Sequence, residues 1–136
     1  TAAFTPTPLT RAECEVQKDE LGIKNCYYDN DYWAGAVKQC GGVNNLPTMA
    51  DLGKLASAIY KGNPSVGERQ DVYNLTYIAG TATSLGLPEP SFSLWSSYED
   101  YINPTAGYRY FHPTNTQWNS GYGRNSSYIQ AVCLGD

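Results

Sequence analysis

The spacing of apolar positions changes period once along this chain. Between Tyr32 and Ile59 it is helical: Trp33, Ala36, Val37 and Cys40 fall on one face, and Leu52, Leu55, Ala56 and Ile59 on another. After Phe92 the period drops to two. Phe92 and Leu94 alternate with Ser93 and Trp95, and Tyr108 and Tyr110 with Arg109 and Phe111. Ile129, Ala131 and Cys133 share one side of a last run. The pattern predicts a helix over about Tyr32–Gln39, a second beginning at Thr48, and strands over Phe92–Ser96, Ala106–Phe111 and Tyr128–Leu134.

Local chemistry supplies the boundaries. Asp29-Asn30-Asp31 precedes the first helix, where a short side-chain oxygen can take the free N–H groups of the first turn. The same triplet resembles the start of a calcium loop, but Tyr32, Trp33 and Ala34 follow where oxygen ligands and a glycine are needed, so capping is preferred. Gly41-Gly42 ends that helix. Thr48 with Asp51 makes a capping-box variant for the second, and Gly62 stops it after Lys61. Upstream, Thr10–Gln17 reads as a short strand or helical turn, Asp19–Asn25 as a turn and Cys26-Tyr27-Tyr28 as a strand, together an N-terminal hairpin. Glu68–Leu85 reads as a short helix or irregular segment, and Pro113–Arg124 as loop. Hairpin, two helices, then a twisted antiparallel sheet is an α+β order. Residues 14–136 read as a single domain, and 1–13, opening TAAFTPTPLT, as a linker remnant.

A net charge of −4 argues against non-specific nucleic-acid binding, which needs a basic face. No apolar run approaches the roughly 20 residues of a membrane span. The four cysteines, Cys14, Cys26, Cys40 and Cys133, contain no Cys-x-x-Cys, and His112 is the one histidine, which speaks against zinc. An even count in a chain rich in Tyr, Asn and Gly favours two disulfides and an oxidising, extracellular compartment. Three pairings are open. The favoured one is Cys14–Cys26, closing the hairpin, with Cys40–Cys133, tying the first helix to the last strand.

DYWAGAVKQCGGVNNLPTMADL (31–52), LWSSYED (94–100), YRYF (108–111), Trp118, Arg124 and QAVC (130–133) occur in that order. The set resembles the C-type-lectin-like fold, in its bacterial pilin-type and adhesin versions. The resemblance spans about Cys26 to Asp136 and also implies the Cys40–Cys133 pairing, with Cys14–Cys26 matching an optional N-terminal hairpin. Glu89-Pro90-Ser91 and Trp118-Asn119-Ser120 are similar to lectin calcium motifs only superficially. The first is misplaced and the second lacks its Asp, so no cofactor is expected. A second branch, the variable proteins of diversity-generating retroelements, looks similar because it displays a changeable patch near the carboxyl terminus. His112 to Tyr128 holds many of the residue types that adenine-directed mutagenesis yields, interleaved with Phe111, Trp118 and Arg124 as scaffold.

The composition between Gly107 and Tyr128 is that of a paratope: Tyr for rigid contact area, Ser, Asn and Gly for adaptable hydrogen bonding. An ordinary turn-rich polar loop has the same composition. The expected contact residues are His112, Thr114, Asn115, Gln117, Asn119, Ser120, Tyr122, Asn125, Ser127 and Tyr128. Trp33, Trp95 and Trp118 are assigned to core or rim, with Trp118 the most exposed. No Gly-x-Ser-x-Gly elbow or redox cysteine pair supports an enzyme. Glu99-Asp100 reads as a solvated pair on an exposed turn. Asn74-Leu-Thr and Asn125-Ser-Ser match the glycosylation pattern, which is frequent by chance. The expectation is therefore an adhesin-like head whose partner is a protein or glycan on another cell, phage or host surface. The alternative is a structural pilin or pseudopilin subunit that packs the same face against its pilus neighbours.

Overall fold

The computed structural model describes residues 2–100, 102–121 and 123–134. Its centre is a three-stranded antiparallel sheet in the order β1 (Phe92–Glu99), β2 (Ala106–Phe111), β3 (Thr116–Asn119). Four α-helical segments precede it: α1 (Arg11–Leu21), α2 (Tyr32–Gln39), α3 (Met49–Ile59) and the single turn α4 (Thr81–Ser84). The molecule is α+β with both expected disulfides, Cys14–Cys26 and Cys40–Cys133.

The capping chemistry acts as read for α2 and α3. Asp31 accepts the Ala34 N–H at 2.8 Å, and Thr48 and Asp51 exchange bonds at 3.0 Å in each direction. The amino-terminal region departs from expectation. Instead of a hairpin, a helix runs from Arg11, because Thr10-Arg11-Ala12-Glu13 is itself a full capping box and Gly22, at φ +81°, closes the other end. Cys14 thus reaches Cys26 from a helix.

Each face of the sheet carries its own apolar cluster, since Leu94 and Trp95 point to opposite sides. On one side Met49, Leu52, Ala56 and Ile59 of α3 pack with Phe92, Leu94 and Phe111, and the Phe92 and Phe111 rings stack at 4.8 Å. On the other, Trp33, Ala34, Ala36 and Val37 of α2 join Trp95, Tyr108 and Ile129.

The strand expected over Tyr128–Leu134 does not form as a continuous element. Gln130 makes one parallel bridge to Leu94, and Ala131 one antiparallel bridge to Phe4. Beyond them the disulfide to Cys40 and the Leu134 N–H on the Asn45 carbonyl draw the chain off the sheet. Cys133 is accordingly half-buried rather than deep in the core. The opening segment is laid onto the body rather than extending from it. Phe4 and Ala131 exchange backbone bonds at 2.9 Å, as do Leu9 and Asp31 at 3.0 Å, and Leu9 is buried. Glu68–Leu85 is irregular apart from α4.

Candidate functional site

Within the stretch expected to be loop, Thr116–Asn119 is a strand, so β2 and β3 form a hairpin with His112–Asn115 as its turn. Register puts Ser93, Tyr110 and Gln117 in one row and Trp95, Tyr108 and Asn119 in the next, on a single face. Trp95 and Tyr108 are covered by the α2 side, whereas Tyr110 and Gln117 are half-buried and Asn119 is exposed. A shallow depression of about 270 Å³ lies among Ser93, Tyr108, Tyr110, Gln117 and Asn119.

The turn is fixed from behind. The Tyr60 hydroxyl, fully buried, is 2.8 Å from the His112 carbonyl and 2.9 Å from that of Asn115. Burial holds its ionisation well above the usual tyrosine range. Outside the turn, Leu75 and Tyr77 donate their N–H groups to the Thr114 and Pro113 carbonyls, and Val72 and Thr116 exchange bonds at 2.9 Å. The expected residues then bond to one another. Thr114 donates its N–H to His112 Nδ1 at 3.1 Å, and Gln117 Nε2 donates to Asn115 Oδ1 at 3.1 Å.

The opposite end of the hairpin is held by Arg124. Its guanidinium is fully buried and bonds Asp31 at 2.8 Å, Glu99 at 3.0 Å and the Asn25 carbonyl at 2.9 Å, with its central carbon 4.5 Å from the Trp33 ring centre. Its own carbonyl accepts the Tyr32 N–H at 2.8 Å. Glu99 is therefore no solvated turn carboxylate. It is buried, and also accepts the Lys24 and Asn25 N–H groups at 2.7 and 2.9 Å. Burial raises the Asp31 carboxyl despite the arginine beside it. The loop leaving Arg124 carries Asn125, Ser127 and Tyr128 outward, Tyr128 at 90 % exposure, beside a second depression of about 440 Å³.

The ten expected contact residues thus divide. His112, Thr114 and Asn115 form the turn, and Gln117 and Asn119 the middle. Asn125, Ser127 and Tyr128 lie at the far end, with Ser120 half-buried between. Tyr122 lies outside the described residues. β2, at about 3.3 Å per residue, makes this a strip roughly 20 Å long rather than one patch. Ser93 completes the middle from β1 and is invisible to any reading confined to the carboxyl end; Tyr110 was legible through its alternation. Phe111 and Arg124, read as scaffold, are fully buried, Trp33 and Trp95 likewise, and Trp118 is half-buried. Both arginines of this region, Arg109 and Arg124, are sequestered, so the described part of the strip presents hydroxyls, amides, aromatic rings and one imidazole. No family model matches the chain, and neither a curated protein nor a solved structure matches it.

Proposed function

We propose that this chain is an extracellular recognition head of C-type-lectin-like architecture, which binds a protein or glycan through the β2–β3 strip without transforming it. One observation carries the reading. A neutral surface of tyrosines, amides and hydroxyls is clamped at both ends by fully buried polar anchors, Tyr60 and Arg124, and by neighbouring backbone. Such a surface binds with little loss of loop freedom, one of the costs of association. The two disulfides support an oxidising compartment. Among the described residues no helix is long and apolar enough to cross a membrane.

The variable-protein reading fits the same geometry. Exposed and half-buried positions of the strip flank Thr116 and Arg124, which are fully buried. Related strains would then differ at 112, 114, 115, 117, 119, 125, 127 and 128 while keeping 116 and 124.

The decisive experiment probes protein and glycan arrays with the wild type and with Tyr110→Ala/Gln117→Ala, using Val16→Ala, exposed on α1, as control. Loss of an aromatic anchor is expected to weaken binding about thirtyfold or more, the effect of roughly 2 kcal/mol, with the control unchanged. Equal binding by all three proteins would remove the strip as the site. Concentration-dependent self-association abolished by the double substitution would move it to the pilin-subunit reading.

A further inference from the structure

On the sheet face opposite the strip, Arg69 lies against two aromatic rings, its guanidinium carbon 4.7 Å from the Tyr98 centroid and 5.1 Å from that of Trp118. Tyr98 and Trp118 are half-buried and Arg69 is exposed. Tyr98 can settle there because position 107 is glycine. A Cβ on Gly107 would sit 3.2 Å from the Tyr98 ring, 3.1 Å from Met49 Sδ and 2.9 Å from Ser96 Oγ.

The main chain on both sides of Arg69 is fastened by a second arginine. Arg109, fully buried, donates to the carbonyls of Gly67 at 3.1 Å, Glu68 at 3.2 Å and Gln70 at 3.1 Å. It forms no ion pair among the described residues, and burial lowers its affinity for its proton. A buried guanidinium without a carboxylate is costly, and what it achieves here is to hold the three residues around Arg69 in place. Asp71 accepts the Trp118 main-chain N–H at 3.2 Å and so ties the segment carrying Arg69 to β3. Despite all this positioning, the Arg69 guanidinium makes no hydrogen bond and no ion pair among the described residues.

We infer that Arg69, laid on the Tyr98–Trp118 shelf, is a carboxylate-binding site separate from the strip, and that its ligand is an acidic side chain of a partner protein. The planar fork matches a carboxylate edge to edge, and contact with two aromatic rings limits where the guanidinium can go. Arg69 covers one face of each ring, which closes that face to a stacking sugar. Glu68 and Asp71 lie beside the arginine in sequence, so the stretch carries no net positive charge. Recognition therefore rests on the geometry of the fork rather than on a positive field, and the site selects a single carboxylate rather than a polyanion.

The test uses the full chain and end-blocked Gly-Glu-Gly-Glu-Gly, with its Gln counterpart, followed by NMR of the Arg69 side-chain and Trp118 indole N–H signals. The expected result is a saturable shift of both, roughly fivefold tighter for the Glu peptide. That preference should be lost in Arg69→Gln and strongly reduced in Arg69→Lys, which keeps the charge and loses the fork. Each variant is accepted only if its backbone spectrum stays dispersed as in the wild type. Equal shifts with the Glu and Gln peptides would overturn the site. So would a trimethyllysine peptide that displaces Arg69 from the rings, since the shelf would then be a cation pocket. A galacturonate trimer binding as well as the Glu peptide would overturn the protein assignment. The strip variant Tyr110→Ala/Gln117→Ala is expected to bind the Glu peptide as the wild type does, so this result and the array result stand or fall separately.

Discussion

Tyr60 shows how much one atom can be asked to hold. It ends α3, and its hydroxyl serves the two carbonyls that define the hairpin turn. Tyr60→Phe leaves those carbonyls without their donor and should cost about 1–3 kcal/mol in urea unfolding at neutral pH. The pH dependence has a definite sign. The folded hydroxyl ionises only at a pH above the unfolded value of about 10, so its contribution is complete below that pH. As pH rises further, the unfolded chain gives up this proton while the folded one keeps it, and stability falls. The gap between wild type and Tyr60→Phe should therefore narrow above about pH 10. A gap independent of pH would mean that the hydroxyl is not held as described. Tyr60 was legible in the sequence only as the residue after an apolar helical face; nothing near it names partners 52 and 55 residues away. Asp31 and Glu99 show the same limit. A cap is a local signal, so Asp31 was found. Glu99 looked solvated because its partner, Arg124, lies 25 residues on.

At the scale of elements, the close contacts are made where side chains are missing. A Cβ on Gly35, in the middle of α2, would stand 1.8 Å from the Thr7 carbonyl oxygen and 2.8 Å from its carbon. Gly35→Ala should consequently push the Thr7–Leu9 segment off the helix and cost at least about 2 kcal/mol, the upper range of overpacking. Faster amide exchange should appear at Leu9 and Asp31, whose backbone bonds to each other would open. Unchanged exchange there would show that the segment is not seated on α2. Both long helices with apolar stripes were legible, as were β1 and β2, because their periods stand out. α1 was not, since it buries only Cys14 and Leu21 and has no stripe; its capping box was present but unsupported by periodicity. β3 was hidden by composition, because Thr-Gln-Trp-Asn reads as loop until Phe111 and Thr116 are seen paired. The Tyr128–Leu134 run had the right period but lacks a strand partner along most of its length.

Over the whole molecule the two disulfides act on different scales. Cys14–Cys26 spans 12 residues and Cys40–Cys133 spans 93. On the chain-entropy account they stabilise by about 3 and about 4–5 kcal/mol. Denaturant midpoints of the Cys14→Ser/Cys26→Ser and Cys40→Ser/Cys133→Ser proteins should fall in that order, the second lower. The reverse order would show that local packing around α1 outweighs loop closure. The segment over residues 72–77 has a consequence of its own. It already occupies the hydrogen-bonding rim of the hairpin at Thr116 and the turn, and Asp71 takes the next N–H, that of Trp118. A visiting polypeptide finds no vacant ladder to zip onto along that rim, so strand donation and fibre-like templating have no foothold there. A polypeptide docking on the proposed strip would therefore be read through side chains and not through strand pairing at that rim.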